Sequence, residues 1–282
     1  MNVLTIYANP NPRSFCHAVL EQFAKGLAEA GHHHEVVDLY GIGFDPVLRA
    51  RDAPSWMDAD LPQEILDRAD LRNELVDSAR GPIRRFLVKR WIGNKDARAI
   101  IRALRKDRIP KDVLEQQAKV ARAQVLVFIS PVWFVGLPTI LKGWIERVFT
   151  LGFAFGLTAD GWRGDLSGRI PLLRLDKALI INTTLFDEAA YRSGLGDAMK
   201  LLIDEFTLSY PGIKQVEHEY LYAVYGASDE TRREYLERAY RLGKELTIAP
   251  SAGVASAGVA SAGAAERAGS RRGPQDEAGR RF

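Results

Sequence analysis

The sequence predicts an α/β fold in which a parallel sheet is covered by helices on both faces. Three observations carry this. Short runs of β-branched and apolar residues alternate with amphipathic stretches of helical length. Two of those runs, 124–130 (QVLVFIS) and Lys177–Thr183 (KALIINT), are apolar almost throughout, as expected of strands buried on both faces. Turn-forming residues, such as Asn9-Pro10-Asn11-Pro12, punctuate the units.

In chain order, the first strand covers 3–8. An amphipathic helix follows over about 14–30, and Gly31 is placed to stop it. Residues 34–38 (HEVVD) read as the second strand, and 116–123 end a helix that leads into 124–130. Then come a helix over 136–150, the strand Lys177–Thr183, a helix over about 194–208, a strand at 217–224 and a last helix over 229–246. Two stretches break this rhythm. Residues from about 54 to 110 form a long helical insertion. Past Pro250 the chain reads SAGVASAGVASAGAA, which has too little bulk to build a core. The expectation is one folded domain over 1–248 and a disordered tail over 249–282.

A hydrophobic content of 46% with 27% charged residues excludes a wholly disordered chain. The single cysteine, Cys16, excludes an internal disulfide and a Cys-based zinc cluster. No apolar run is long enough to span a bilayer, and Met1 leads straight into a strand-like segment. The expected location is the cytoplasm. Net charge is only +3, yet 80–108 holds eleven Lys and Arg against two acids.

Ligands of open parallel sheets lie beyond the carboxyl ends of the strands, which marks 9–16, 131–136 and 183–191. The first segment lacks both GxGxxG and the phosphate-loop lysine, which argues against those two nucleotide folds. Ser14 opens a helix, and is either a plain N-cap or part of a phosphate site. The second segment, Pro131-Val132-Trp133-Phe134, is apolar and aromatic where polar turn residues are usual. It either packs a flat aromatic cofactor or joins the core.

Two stretches, PVWFVGLPTILKGWIERVF (131–149) and YANPNPRSFCHAVL (7–20), resemble the NAD(P)H:quinone oxidoreductase family of the DT-diaphorase type. The resemblance runs from residue 2 to about 246, interrupted by the basic insertion. It implies a flavodoxin-like doubly wound sheet, FAD as cofactor with FMN as the alternative, NAD(P)H as co-substrate, and a homodimer. It places Asn9, Ser14, Phe15 and Cys16 near the flavin diphosphate and adenine side. Pro131, Val132, Trp133, Phe134 and Val135 fall under the ring, and Thr183 and Thr184 at its pyrimidine edge. Tyr191 matches the tyrosine that stabilises the reduced cofactor, and Glu230 and Arg233 match contacts at the far end of FAD. Phe153, Phe155 and Leu157 match the substrate slot. There are departures. Leu185-Phe186 replaces the usual Gly-Gly, Cys16 replaces an Asn, and no histidine follows Tyr191 where the family has its catalytic one. The slot residues carry no phenolic hydroxyl, which implies a more apolar acceptor.

The expected function is therefore a flavin-dependent NAD(P)H oxidoreductase that passes hydride through flavin N5 to a quinone or related aromatic acceptor, in ping-pong order. The alternatives are an ancillary flavoprotein regulating a membrane transporter and a biosynthetic flavoenzyme acting on one aromatic intermediate. In 80–108, Ile83, Phe86, Leu87 and Trp91 share a helical face ringed by cations. That face either packs on its own domain or dimer, docks a peripheral membrane or protein, or binds nucleotide phosphate. No nucleic-acid motif accompanies the charge. His32-His33-His34 has no carboxylate or Cys at ligand spacing, so no metal is expected.

Overall fold

Five parallel strands run through the centre of the chain, in a computed structural model that describes residues 1–68 and 70–249. They are β1 (Asn2–Tyr7), β2 (His33–Asp38), β3 (Val125–Pro131), β6 (Lys177–Thr183) and β7 (Gln215–Leu221), in spatial order β2-β1-β3-β6-β7. A short antiparallel hairpin, β4 (Phe155–Leu157) with β5 (Arg169–Pro171), stands apart from the sheet. With that hairpin set aside, the order is the 2-1-3-4-5 of flavodoxin-like sheets. Met1–Ile248 form one compact unit; the expected tail lies, beyond Ala249, outside the described residues.

Alternation along each strand builds two cores. Leu4, Ile6, Leu126, Phe128, Ala178 and Ile180 face one side, and Val3, Val125, Val127, Leu179 and Ile181 face the other. The first side is covered by α6 (Lys111–Arg122), α7 (Thr139–Val148) and a run of helical turns over 188–209; the second by α1 (Phe15–Glu29) and the C-terminal helix Asp229–Lys244. Helices on both faces leave the central strands no polar side, hence their unbroken apolar runs. Helix α1 and the C-terminal helix meet backbone to backbone. A Cβ on Gly26 would stand 2.1 Å from the Tyr240 carbonyl oxygen, and one on Gly243 2.2 Å from that of Phe23.

The insertion is helical, as expected. After a 3-10 turn at Ala50–Trp56 come α2 (Gln63–Arg68), α3 (Leu71–Ser78), α4 (Pro82–Ile92) and α5 (Ala97–Arg108). Leu61, Leu66, Leu71, Ile92, Ile100, Ile101 and Leu104 form a third core of their own. A buried guanidinium joins this insertion to the sheet layer. Arg147 of α7, 0% exposed, donates through Nε and Nη2 to Asp52 Oδ1 at 3.0 and 2.9 Å. Its Nη1 donates to Asp112 Oδ2 at 2.6 Å and to the Asp45 carbonyl at 2.8 Å. Of the face singled out in the sequence, Ile83, Phe86 and Leu87 are exposed and Trp91 is half-buried; the next residue, Ile92, is buried.

Candidate functional site

At the carboxyl edge of the sheet, three loops are laced together by backbone bonds. Val132 N–H donates to the Thr183 carbonyl at 2.9 Å, and Thr184 N–H to that of Leu221 at 2.9 Å. Val224 N–H returns to Thr184 at 3.0 Å, and Ala223 N–H reaches Phe186 at 3.0 Å. The Thr184 hydroxyl donates to the Phe186 carbonyl at 2.7 Å, so the two buried threonines at this edge are held in fixed positions.

The loop after β3 is a tight turn, not the start of a helix: Gly136 lies in it, and α7 begins only at Thr139. Trp133 and Gly136 exchange N–H···O bonds of 3.0 and 3.1 Å. Between them Phe134 (φ 47°) and Val135 (φ 64°) are both left-handed. Turns with two positive φ angles ordinarily take Asn and Gly, and a β-branched residue there is strained by about 1–3 kcal/mol. The turn also leaves Trp133, Phe134 and Val135 exposed. Leu185, Phe186 and Tyr225 are likewise exposed along the same edge. The amides of Phe134, Val135, Leu185 and Phe186 donate to no protein group among the described residues. Apolar side chains and free amides along one edge suit a flat heteroaromatic ring, which takes stacking on its face and hydrogen bonds at its rim.

Ser14 is the N-cap of α1; its Oγ accepts from His17 N–H at 3.2 Å. Asn9 and Asn11 fold the preceding loop through Asx bonds to Asn11 N–H and Arg13 N–H at 2.9 and 3.0 Å. Among the described residues the amides of Phe15 and Cys16 have no backbone partner at the helix start, the arrangement that receives phosphate. Cys16 itself is buried, with its thiol against Thr183 and Asn9, and burial pushes its pKa up to about 12. The folded thiol titrates well above its ordinary value near 9, so the stability it contributes is full below about pH 9 and is lost as the pH rises through 12. The phenols of Tyr7, Tyr191, Tyr220 and Tyr222, all raised by burial, add to that loss from about pH 10 upward. Denaturation midpoints should hold to about pH 9 and then fall. Cys16 should ignore a thiol reagent at about pH 8 until the chain is unfolded; rapid labelling of the native protein would contradict this.

Tyr191 stands against a ladder on β7. Its ring centroid is 4.7 Å from that of Tyr220 and 5.2 Å from that of Tyr222. Tyr220 stacks on His218 at 4.1 Å. Below, His218 Nδ1 lies 2.8 Å from Asp204 Oδ1, and Nε2 lies 2.8 Å from Asn182 Oδ1. Asn182 Nδ2 donates to the Ser130 carbonyl and hydroxyl at 3.0 and 3.1 Å. The Tyr220 hydroxyl also lies 3.1 Å from Nδ1, so both imidazole nitrogens have oxygen partners. Asp204→Ala leaves His218 Nδ1 with only the Tyr220 hydroxyl, at 3.1 Å, and removes the charged partner, which should cost about 1–3 kcal/mol. Asp204→Asn, which keeps an acceptor, should cost less; equal losses in denaturant melts would sink this account.

Burial lifts the Tyr191 phenol above its ordinary value, with Thr184 tempering the rise. Among the described residues no hydrogen bond of ordinary geometry reaches its Oη, and the same holds for Tyr7 Oη, where Ser14 is the tempering neighbour. Two unpartnered buried hydroxyls among tightly bonded neighbours mark an edge that fits a further polar group.

The other expected residues are more scattered. Glu230 and Arg233 are exposed on the C-terminal helix. Its Arg232, not Arg233, donates to the Val224 carbonyl at 3.1 Å and braces the loop after β7. Phe155 packs against Trp56 of the insertion at 6.0 Å and Tyr210 at 5.8 Å, and Leu157 pairs with Arg169 in the hairpin. Phe153 lies with Val120, Ala123 and Leu173, by the amino end of β3, so it is not gathered with the carboxyl-edge loops. The His218–Asp204–Asn182–Ser130 set was missed. Its signal was the alternation His218, Tyr220, Tyr222, which puts the first two on one face of β7 and continues into the turn after it.

Sheet order, edge loops and the free helix start together define a flavodoxin-like protein. Residues 1–242 match the family described by its flavodoxin-like fold, and the chain belongs to that family. The chain is similar to the ribosyldihydronicotinamide dehydrogenase-like protein traD of Penicillium crustosum, at 28% identity over 246 residues covering 86% of this chain and 80% of that one. It is also similar to NAD(P)H dehydrogenase (quinone) 1 of Cavia porcellus, at 28% identity over 83% of this chain and 72% of the other. Among solved structures, the NAD(P)H:quinone oxidoreductase from Methanothermobacter marburgensis superposes with a TM-score of 0.60, at 28% identity, covering 88% of this chain and 99% of that one. The resemblance read from 131–149 thus extends over most of the chain.

Proposed function

We propose that this protein is a flavin-dependent NAD(P)H oxidoreductase, with FAD as its cofactor, acting on a quinone or a related apolar aromatic acceptor in ping-pong order. It is an oxidoreductase of the NAD(P)H dehydrogenase (quinone) type. The observation that carries the cofactor reading is the strained Trp133–Gly136 turn, which holds apolar side chains and unpaired amides at the sheet's carboxyl edge. A bound flavin supplies hydride acceptance and donation at N5. The protein's own part is placement. Ser14 and the start of α1 take the phosphates, the turn and Thr183-Thr184 fix the ring plane, and Tyr191 Oη offers the buried hydrogen bond it lacks in the protein itself. The Tyr220–His218–Asp204 ladder holds Tyr191 from behind, where the family's histidine is missing.

The expected slot residues Phe155 and Leu157, with Trp56 packed on Phe155, are apolar, which favours an acceptor without small polar substituents. The exposed edge residues suit closure by a second subunit, so the working form is a homodimer. No helix among the described residues is long and apolar enough to cross a membrane, and we place the protein in the cytoplasm.

The test is purification with flavin identification, followed by NAD(P)H oxidation with a simple benzoquinone at varied concentrations of both substrates. A yellow protein and parallel initial-rate lines are expected. Colourless protein that takes up neither FAD nor FMN overturns the reading. Tyr191→Phe should stabilise the flavin-free chain by about 1 kcal/mol, by removing a buried unpaired hydroxyl, while slowing turnover. A destabilised variant with full activity would show Tyr191 to be structural only.

A further inference from the structure

We propose that helix α4 is a docking surface that seats this protein on an anionic lipid bilayer. The inference does not depend on the redox reading. In α4, Ile83, Phe86, Leu87 and Arg90 follow i, i+3, i+4, i+7 spacing and form one stripe. The three apolar members are 75%, 63% and 56% exposed. On the inward side, Val88, Trp91 and Ile92 join the core of the insertion, so the helix is anchored with its other apolar face turned out. Arg84, Arg85 and Lys89 flank the stripe, and from Arg80 to Lys95 there are six cations and no acid. None of Arg84, Arg85, Lys89 and Arg90 pairs with a carboxylate among the described residues; Arg85 Nε donates only to the Ala79 carbonyl, at 3.3 Å. The acids of the neighbouring α3, Glu74 and Asp77, are exposed and make no ion pair with α4.

Charge decides between occupants. A two-fold contact would lay this patch on itself, cation against cation with no acid to interleave. The chain's own terminal segment, 249–282, carries five Arg against three acids, so it brings no net negative charge. An anionic bilayer satisfies both features at once: lipid phosphates and carboxylates take the cations, while Ile83, Phe86 and Leu87 enter the boundary between headgroups and acyl chains. Behind the stripe the apolar surface continues. Leu87, Val88 and Trp91 line an open cavity of about 920 Å³ together with Met57, Leu75 and Leu104.

The experiment is flotation of the full chain with phosphatidylcholine vesicles, with and without about one-third phosphatidylserine, at near-physiological salt. Binding to the anionic vesicles should exceed binding to the neutral ones by about tenfold or more. Arg84→Glu/Arg85→Glu/Lys89→Glu should abolish that excess, and the milder Arg84→Gln/Arg85→Gln/Lys89→Gln should reduce it strongly. Phe86→Ser/Leu87→Ser should weaken binding by about tenfold while charge attraction persists. Because all these side chains are exposed, circular dichroism should be unchanged. Equal binding to both vesicle types overturns the proposal. So does charge reversal that leaves flotation intact, which would assign binding to the arginines of 249–282. Sedimentation showing that Phe86→Ser/Leu87→Ser splits an oligomer would likewise overturn it, by making the stripe a contact between copies.

Discussion

Asp52→Ala is expected to destabilise the protein by about 3–5 kcal/mol, a large part of the stability of an ordinary domain. Asp52 and Arg147 are 1% and 0% exposed, and two of the guanidinium's donors converge on one carboxylate oxygen. Removing the carboxylate leaves a cation in the interior with only Asp112, the Asp45 carbonyl and the Phe44 ring at 5.2 Å to compensate. Arg147→Met should do less damage, since it removes the buried charge and keeps much of the volume. Asp112 is partly exposed, so Asp112→Ala should be milder still. Urea melts of the three variants would rank them. Should Asp52→Ala melt with the parent, the pair is not the anchor described here.

The second large effect is expected at the turn after β3. Phe134→Asn/Val135→Gly installs the residues that two left-handed positions favour. Relief of strain should raise stability by about 1–2 kcal/mol. The same change deletes two exposed apolar side chains from the proposed ring platform, so flavin affinity should fall by about tenfold to a hundredfold. Opposite signs in the two measurements are the signature of strain held for binding. Thermal melts of the flavin-free protein and fluorescence titration with FAD supply them. If stability and affinity fall together, the turn is simply part of the fold.

The sheet was legible because its central strands are buried on both faces, which writes their burial directly into apolar runs; 124–130 and Lys177–Thr183 needed no tertiary information. Gly31 was legible as a helix stop and has φ 72°. The loop at 131–136 was legible as aromatic, but its backbone was not. Phe134 and Val135 carry no turn signature, since their conformation is imposed by bonds between Trp133 and Gly136. The π-helical turns at Tyr191–Leu195 and Lys200–Ser209 were likewise hidden inside an ordinary amphipathic pattern. The hairpin β4–β5 was not foreseen, because strands of three residues set no period. Arg147 was invisible for a different reason. An arginine on a helix reads as solvated, and nothing local marks partners that lie 95 and 35 positions upstream.

That same guanidinium says something about how the chain is assembled. Asp52 opens the insertion and Asp112 closes it, and one side chain grips both. Some sixty residues therefore leave the sheet layer and return to it at nearly one point, like a loop drawn through a ring. Such a segment is modular in the literal sense. It is free to vary at its outer surface, away from the contacts of Trp56 with Phe155, Arg105 with Leu151 and Glu64 with Arg163 that also join it to the rest of the chain.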